Sequence, residues 1–514
     1  MNPSIVRLNI QDSATFGGRG AGYAGSYPRL ITTLFFIGIL ILPGCNKYLD
    51  KEPDNRTVIK TPEQIAQLLT SAYPHANYIL FCEAMSDNAE DKQGSGSSYS
   101  SLNKANQQSY KYEVVEIAPD EQDGPDNYWV YCYKAIAAAN QALEMISASA
   151  DQSKLSAHRG EALVARAYAH FMLVTLFAKA YDPATAVSDP GIPYVTEPEK
   201  EVFKQYDRKT VAYVYEMIEK DLLEGYPLID DKIYNEAPKF HFNKKAAAAF
   251  AARFYLFKQD YGNTVTYASQ ALSAEPANDI RPWNTTLTNL PYNKLQTDYT
   301  KATTKGNLLL QEADSFWGDA YPSLRYGIGE SIAVELLINT NVTGGRYAYD
   351  LYGASPRSYN IPKFYTHFVA TSINASTGQP YNTIPLMTAE EALLNRSEAY
   401  IRLGNTNLAI KDMNAFASQN IDNYDAGNNN ITAQKIVNYY GTSIVPGAIN
   451  AVLDFKRAFF IHEGMRWFDI LRLKIPVLHE TLEGDQIYLA PDDKRRTLQL
   501  PVLTKQAGLA PNER

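Results

Sequence analysis

The chain has 514 residues, and its length alone suggests about two to four domain-sized units with a sizeable core. Hydrophobic residues make up 45% and charged residues 20% of it, which is typical of soluble globular proteins and excludes bulk disorder. The net charge of −8 argues against a nucleic-acid-binding protein, which would need a basic face, while the 37 tyrosines offer flat rings for stacking.

The first predicted element is an export signal. Residues 30–42 form an almost wholly apolar run after Arg29, too short to span a bilayer but typical of the apolar core of a signal peptide. The Leu-Pro-Gly-Cys sequence that ends at Cys45 resembles a bacterial lipobox. We therefore predict that residues 1–44 are a lipoprotein signal peptide and that Cys45 carries the lipid. A short buried helix with a core cysteine is the alternative.

An acidic stretch follows Cys45. Residues 50–54 contain three acidic side chains and resemble the export signal that sends lipoproteins of Bacteroidetes-type bacteria to the outer face of the cell. These features predict a surface-exposed protein that is anchored to the outer membrane through Cys45.

Helical patterns dominate the rest of the chain and come in related pieces. Residues 135–143, 264–272 and 409–417 share a pattern of small and apolar side chains. Small residues let paired helices approach closely, so Ser397 is expected where two helices cross and Gly404 in the turn between them. The predicted fold class is mostly α, with tetratricopeptide-like helix pairs forming a scaffold. Generic alanine-rich amphipathic helices are the alternative.

Long irregular inserts separate these helix pairs. Residues 85–128 are rich in Gly, Ser and Asn, and residues 275–385 combine Asn, Thr, Gly and Pro with many aromatic side chains. Loops of this length are either functional or disordered, and the aromatic residues favour an ordered insert. We predict that both inserts bind the ligand and that they contain short β segments, one of them near residues 331–339.

The sequence shows no catalytic or metal-binding motif such as H-E-x-x-H, G-x-S-x-G or a Walker A loop. His170 lies in an apolar helix and is expected in the core, while Glu390 and Glu391 are expected at the surface. Paired carboxylates of a glycoside hydrolase would meet only in space. Cys82 and Cys132 fit either one disulfide or two separate buried thiols. We predict no enzyme, no cofactor and no metal.

Several segments carry a family resemblance. They are CNKYLDKEP from Cys45, the W-x3-Y-x2-I-x3-N helix at residues 129–140, residues 159–168, 243–256 and 391–400, and EGMRWFDILR at residues 463–472. Together they resemble the SusD-like (RagB/SusD) nutrient-uptake lipoproteins of the outer membrane. The resemblance covers nearly the whole mature chain and implies a single SusD-like domain over residues 45–514, with ligand-binding inserts at about 85–128 and 275–385.

The most specific of these motifs look structural in their own right. Trp129 and Trp467 belong to motif helices, and a buried indole N–H needs a hydrogen-bond partner. Glu463 and Arg466 stand three residues apart and are expected to pair on one helix face. We therefore do not expect these residues to bind the ligand.

The family resemblance implies a protein that captures an oligosaccharide and delivers it to a SusC-like TonB-dependent transporter. A peptide-binding member of the same family and a lipid-anchored glycoside hydrolase are the alternatives. The resemblance also implies a shallow arc of aromatic side chains on which sugar rings stack. The candidate ligand-binding residues are Trp317, Trp283, Tyr321, Tyr292, Tyr99 and Asn88. An exposed Trp317, helped by Trp283, is the expected stacking platform, and burial of both in the core of the insert is the alternative.

Overall fold

The computed structural model describes residues 61–201, 204–234, 237–355, 357–372, 375 and 377–514. This part of the chain belongs to one compact unit. The predicted signal peptide at residues 1–44, the lipidation site Cys45 and the acidic stretch at residues 50–54 lie outside the described residues.

Helices dominate the described chain. The first group comprises α1 (Pro62–Leu69), α2 (Ile79–Met85), α3 (Ser100–Tyr110), α4 (Pro125–Ala148), α5 (Ser156–Phe177), α6 (Val211–Gly225), α7 (Lys244–Phe257) and α8 (Tyr261–Ala271). The second comprises α9 (Tyr292–Tyr299), α10 (Trp317–Ala320), α11 (Glu330–Ile332), α12 (Ala389–Arg402), α13 (Thr406–Asn420), α14 (Ala426–Asn429), α15 (Ala433–Tyr440), α16 (Ile444–Phe459) and α17 (Met465–Arg472).

Side-chain caps define where several of these helices begin. Thr61 and Gln64 form a reciprocal capping box at the start of α1, with Pro62 in the first turn. The Asn243 side chain accepts a hydrogen bond from the backbone of α7, and Thr388 does the same for α12. Each cap satisfies a backbone N–H that would otherwise lack a partner at the helix start.

The helices pack as consecutive antiparallel pairs, as the sequence predicted. In the chain, α7 packs on α8 and α12 packs on α13, while α5 packs on both α4 and α6. Ser397 is fully buried and its hydroxyl donates to the Ala409 carbonyl of the paired helix, 3.1 Å away. Gly404 has a φ of +80° in the turn between these helices, a conformation that favours glycine. The predicted mostly-α fold with tetratricopeptide-like pairs is confirmed.

Short β segments lie in the inserts and near the C-terminus. They are β1 (Glu90–Asp91), β2 (Asn307–Asp314), β3 (Tyr326–Gly327), β4 (Tyr352–Ser355), β5 (Ser358–Asn360), β6 (Thr366–Ala370), β7 (Gly378–Thr388), β8 (Val477–Glu480) and β9 (Gln486–Leu489). Strands β2, β7 and β6 form an antiparallel sheet in that order, and β1–β3, β4–β5 and β8–β9 form antiparallel pairs. The sheet brings the end of β2 beside the middle of β7, at Asp314 and Tyr381.

The β-like run expected near residues 331–339 is helical instead. Helix α11 continues directly into a π-helix at Ala333–Ile338. The buried residues of this segment are Ile332, Ala333, Leu336 and Leu337, a spacing that places them on one helical face. This periodicity overrides the local preference of the β-branched residues for strands.

Glu390 and Glu391 are not the surface charges that the sequence suggested. Glu390 is fully buried and its carboxylate bonds to Arg281 at 2.8 Å, and Glu391 bonds to Arg253 at 2.5 Å. Both arginines are more than a hundred residues away along the chain. No local pattern reveals such partners, which is why the default expectation of exposed acids is wrong here.

The expected pairing of Glu463 with Arg466 is also wrong. The Glu463 carboxylate binds the Lys363 ammonium at 2.7 Å and accepts from the Tyr299 hydroxyl at 2.6 Å. Arg466 binds Asp87 through two hydrogen bonds of 2.8 Å. Glu463 lies in the turn before α17 and Arg466 lies within that helix, so the two side chains contact different parts of the fold.

His170 and the two remaining cysteines are core residues. His170 is fully buried, its Nδ1–H donates to the Arg166 carbonyl, and its Nε2 accepts from the Val195 N–H. Burial lowers the pKa of His170 to about 3, so the ring is neutral. Cys82 and Cys132 are separate, free and buried thiols.

We expect Ser397→Leu to lower the free energy of unfolding by roughly 1–3 kcal/mol, because the larger side chain overpacks the contact between α12 and α13. Urea unfolding of the mature protein measures this change. Ser147→Leu, at an exposed position of α4, is the matched control and should have little effect. Equal stability of the Ser397 variant and the parent would contradict the close helix contact.

Candidate functional site

The two tryptophans expected to form an exposed platform are buried. Trp283 has no exposed surface, and its ring packs against Tyr349 and Tyr299 at centroid distances of 4.7 and 5.9 Å. Trp317 is 3% exposed, and its indole N–H donates to the His462 carbonyl at 3.1 Å. The expected exposure of both rings is therefore wrong, because the insert folds a core of its own around them.

Two other candidates are also occupied by internal contacts. Tyr321 is 3% exposed and its hydroxyl donates to the Ile361 carbonyl at 3.0 Å. Asn88 has no exposed surface and its side-chain oxygen accepts from Arg457 at 2.8 Å. As the structure stands, neither side chain is free to contact a ligand at the surface.

Tyr99 and Tyr292 remain partly exposed, but they lie in different surroundings. The Tyr292 hydroxyl donates to Asn360 at 3.2 Å, and its ring meets Tyr352 edge-on. Tyr99, at the start of α3, lies against the ring of Phe316 with 4.0 Å between the ring centroids and 32° between their planes. We call Tyr99 and Phe316 the aromatic pair.

The aromatic pair has a carboxylate beside it. Asp319, three residues after Phe316, is exposed and its negative charge contributes to raising the pKa of Tyr99, after the effect of burial. Burial raises the pKa of Asp319 itself, while a hydrogen bond with Thr366 of β6 lowers it. Two half-buried rings thus stand next to a charged hydrogen-bond acceptor and a hydroxyl.

The turn that carries Phe316 is held by a buried polar cluster centred on Ser315. The Ser315 hydroxyl donates to Asp123 at 2.6 Å and accepts from the side chain of Asn77 and from the Trp317 N–H, both at 3.0 Å. Asn382 of β7 accepts from the Gly318 N–H at 2.7 Å. Because these polar groups of the turn have fixed partners, the backbone that carries the Phe316 ring is held in place.

A second partly exposed surface adjoins the turn. At its centre is Tyr131 of α4, with the Lys134 ammonium 4.1 Å from the ring centroid. The charge of Asp314 and the neighbouring Tyr381 contribute to raising the pKa of Tyr131, after the effect of burial. The Gln122 side chain forms a hydrogen bond with Asp314. This surface offers amide, carboxylate and ammonium groups within a short distance of the aromatic pair.

One concave cavity lies elsewhere in the fold. Its volume is about 360 Å³, and it is formed by α4, residues 193–199, Tyr206 and residues 503–509. The cavity is mainly lined by apolar side chains, and none of the six candidate ligand-binding residues contributes to it. The six candidates therefore lie outside it, while Lys134, which packs on Tyr131, is part of its wall.

The described part of the chain offers no assembled site for a metal ion, because no three or more His, Cys, Asp or Glu side chains come together in it. The buried acid nearest to the aromatic pair, Asp123, has no exposed surface and both of its carboxylate oxygens accept protein hydrogen bonds. It cannot contact a substrate in this arrangement.

No helix in the described chain is long and apolar enough to cross a membrane.

Phe316 was missed by the sequence analysis, which favoured its neighbour Trp317. In the sequence DSFWGDAY the two residues are adjacent, and the one that starts the short helix α10 turns inwards. The buried ring packs against Tyr321, and its indole N–H donates to the carbonyl of the distant His462. No signal within the segment itself shows that partner.

The chain matches two family models. A model described as starch-binding associating with outer membrane matches residues 47–256, and a model of the SusD family matches residues 337–493. Together the two matches include helices α4 to α6, the helix pair α12–α13 and the C-terminal EGMRWFDILR motif. A search of curated proteins found no match.

The fold is also similar to solved structures. A SusD superfamily protein from Bacteroides thetaiotaomicron VPI-5482 has a TM-score of 0.63 at 17% identity, covering 88% of this chain and 100% of its own. A SusD-like carbohydrate binding protein from Bacteroides vulgatus ATCC 8482 has a TM-score of 0.58 at 16% identity, with 87% and 96% covered. A laminarin binding SusD-like protein has a TM-score of 0.54 at 17% identity, with 87% and 97% covered. At these identities the likeness shows a shared fold.

We expect Trp317→Ala to lower the free energy of unfolding by about 3–5 kcal/mol, because it removes a buried ring and leaves a cavity. The adjacent Phe316→Ala is the matched control and should cost clearly less, since this ring is half exposed. Chemical denaturation followed by circular dichroism measures both. An equal loss in the two variants would contradict their different burial.

Proposed function

The chain belongs to the SusD family, and on that premise we propose that it is a cell-surface lipoprotein that binds an oligosaccharide and delivers it to a SusC-like TonB-dependent transporter. The observation that carries the binding step is the aromatic pair, Tyr99 and Phe316, with Asp319 beside it. The proposal places the ligand on this surface and not on the buried tryptophans.

The chemistry of the surface suits a sugar. One face of a sugar ring presents C–H groups that pack on an aromatic ring, and its hydroxyls need hydrogen-bond acceptors and donors. Asp319 and Thr366 supply these groups beside the aromatic pair, and Gln122 and Tyr131 extend them along the neighbouring surface. The description of one structural relative as laminarin binding supports the choice of a glucan as the first ligand to test.

A peptide ligand is the second candidate, and one observation favours it. Strand β6 pairs only with β7 among the described strands, so its other edge can hydrogen-bond to an extended chain. Phe368 and Val369 on this strand are each 56% exposed and could contact apolar side chains of a peptide. A ligand panel should therefore include peptides as well as glucans.

The proposed anchor is the lipid on Cys45. Acylation of the terminal amine together with a thioether-linked lipid would give a stable anchor, since more than one acyl chain is needed for lasting membrane attachment. An anchored protein at the cell surface would stay close to a transporter barrel in the same membrane. This closeness favours transfer of the ligand without release into the medium.

We expect Tyr99→Ala and Phe316→Ala each to weaken binding of laminarin oligosaccharides. By analogy with base–aromatic stacking, the loss of one stacking ring is worth about 1–3 kcal/mol, or roughly five- to 150-fold in Kd. Isothermal titration calorimetry measures this change. Tyr439→Ala, which removes an exposed tyrosine of α15, is the control and should leave Kd unchanged.

Two outcomes would contradict the proposed site. Unchanged binding in both variants would show that the glycan binds elsewhere on the protein. Binding of a peptide in place of every glucan tested, with loss of binding when Phe368 is replaced by serine, would assign the ligand to the edge of β6.

We expect Cys45→Ala to abolish lipid attachment, because the thiol is the acceptor of the lipid. Incorporation of labelled palmitate and the share of protein in the membrane fraction measure this effect. A Cys82→Ala variant is the control, since Cys82 is buried in the fold. Unchanged labelling of the Cys45 variant would rule out the predicted lipobox.

A further inference from the structure

Asp123 directly holds the turn that carries Phe316. One carboxylate oxygen accepts from the Ser315 hydroxyl at 2.6 Å, and the other accepts from the Phe316 N–H at 2.9 Å. Asp123 has no exposed surface, and its backbone φ is +60°, in the left-handed region that is unusual for a residue with a side chain. Aspartate adopts this conformation more readily than most residues, so the two hydrogen bonds, and not backbone strain, are what tie Asp123 to the turn.

The contacts around Asp123 accommodate a carboxylate but not a carboxylic acid. A proton on either oxygen would need an acceptor, and the Phe316 N–H is only a donor. Ser315 Oγ already accepts two hydrogen bonds, one from Asn77 and one from the Trp317 N–H. The Ser315 hydroxyl also lies 3.3 Å from the side-chain oxygen of Asn382, to which it can donate instead. Protonation of Asp123 therefore either leaves the acid proton without an acceptor or rearranges the contacts of Ser315 that hold the turn.

Burial of Asp123, more than the charges around it, favours that protonation at neutral pH. Burial raises the pKa of Asp123 to about 7; the hydrogen bonds from Ser315 and Phe316 oppose this rise, and the charge of Asp314 on β2 adds to it. The other nearby elements carry Asp319, in α10, and Asp126, in the first turn of α4. The cation of this region, Lys134, lowers the pKa of Asp314. The group is thus close to half ionised at neutral pH.

We infer that Asp123 is a proton-sensitive positioning residue: its carboxylate holds Phe316 against Tyr99, and uptake of a proton by Asp123 releases that hold. The inference rests on the proposed function, since it concerns the regulation of the same aromatic pair. The ionised form is the competent form, so glycan affinity falls as pH falls through the pKa of Asp123. If only this form binds, the apparent Kd rises about ten-fold from pH 8 to pH 6.

The test follows the Phe316 amide by NMR, in the mature protein labelled with ¹⁵N-phenylalanine. A Phe316→Leu variant identifies the resonance. We expect the amide of the parent to titrate between about pH 6 and about pH 8, and the Asp123→Asn protein to show no such titration. Asp126→Asn is the matched control, because it removes a neighbouring acid that does not contact the turn, and it should leave the titration in place.

A second measurement connects the titration to binding. Calorimetry with laminarin oligosaccharides should show about ten-fold weaker binding by the parent at the lower pH and the same affinity at both pH values for Asp123→Asn. A Phe316 amide that does not titrate, or that titrates equally in Asp123→Asn, overturns the inference even if the glycan binds. A parent whose laminarin affinity is equal at both pH values also overturns it.

The two proposals fail in different ways. If the Phe316 amide titrates and no glucan binds at either pH, the proposed ligand is wrong and the role of Asp123 in holding Phe316 stands. If Asp123→Asn does not fold, the titration of the parent and of Asp126→Asn still decides, because neither depends on that variant.

Discussion

The carboxylate of Glu83 secures the turn on which both the helical scaffold and the insert depend. It accepts from the backbone N–H groups of His462 and Gly464, each at 2.9 Å. Both turn residues have positive φ, and a side chain on Gly464 would come within 3.0 Å of Cys82 in α2. Burial raises the pKa of Glu83 to about 7 although the hydrogen bonds from these two N–H groups lower it, so its charge would be still less favourable without them. The same turn presents the His462 carbonyl to Trp317, so the position of α10 follows from it.

Buried ion pairs connect elements throughout the fold, and helix α12 forms several of them. Its three glutamates reach different elements: Glu391 pairs with Arg253 of α7, Glu390 with Arg281 of the insert, and Glu398 with Lys456 of α16 and Arg472 of α17. Burial raises the pKa of Glu398, but the two cations outweigh it and hold that pKa below its usual range. A buried charge without its partner is far more costly than the pair is stabilising, so these contacts specify which elements meet more than they add stability.

Sequence patterns predicted the helices well and the exposure of the candidate aromatic rings poorly, for one physical reason. Helix pairing depends on local periodicity and small residues, so the chain's own pattern was enough to place Ser397 and Gly404. Exposure of an aromatic ring depends instead on partners that are distant in the chain. Trp317 is buried and its indole N–H donates to the carbonyl of His462, 145 residues away, whereas Phe316 is partly exposed beside Tyr99. The resemblance to the family predicted ligand-binding inserts without indicating which of their rings face the solvent.

The arrangement of the insert shows how a surface site gains rigidity from the core. Ordering a loop at the moment of binding costs conformational entropy, which lowers affinity. Here the turn at Ser315 is ordered when the protein folds, because Asn77, Asp123 and Asn382 satisfy its polar groups from three separate elements. The aromatic pair can therefore stack on a ring without rearranging the backbone. These hydrogen bonds occupy the acceptors near Asp123, so an added proton finds none free. The contacts that make the aromatic pair rigid therefore also make it sensitive to protonation at Asp123.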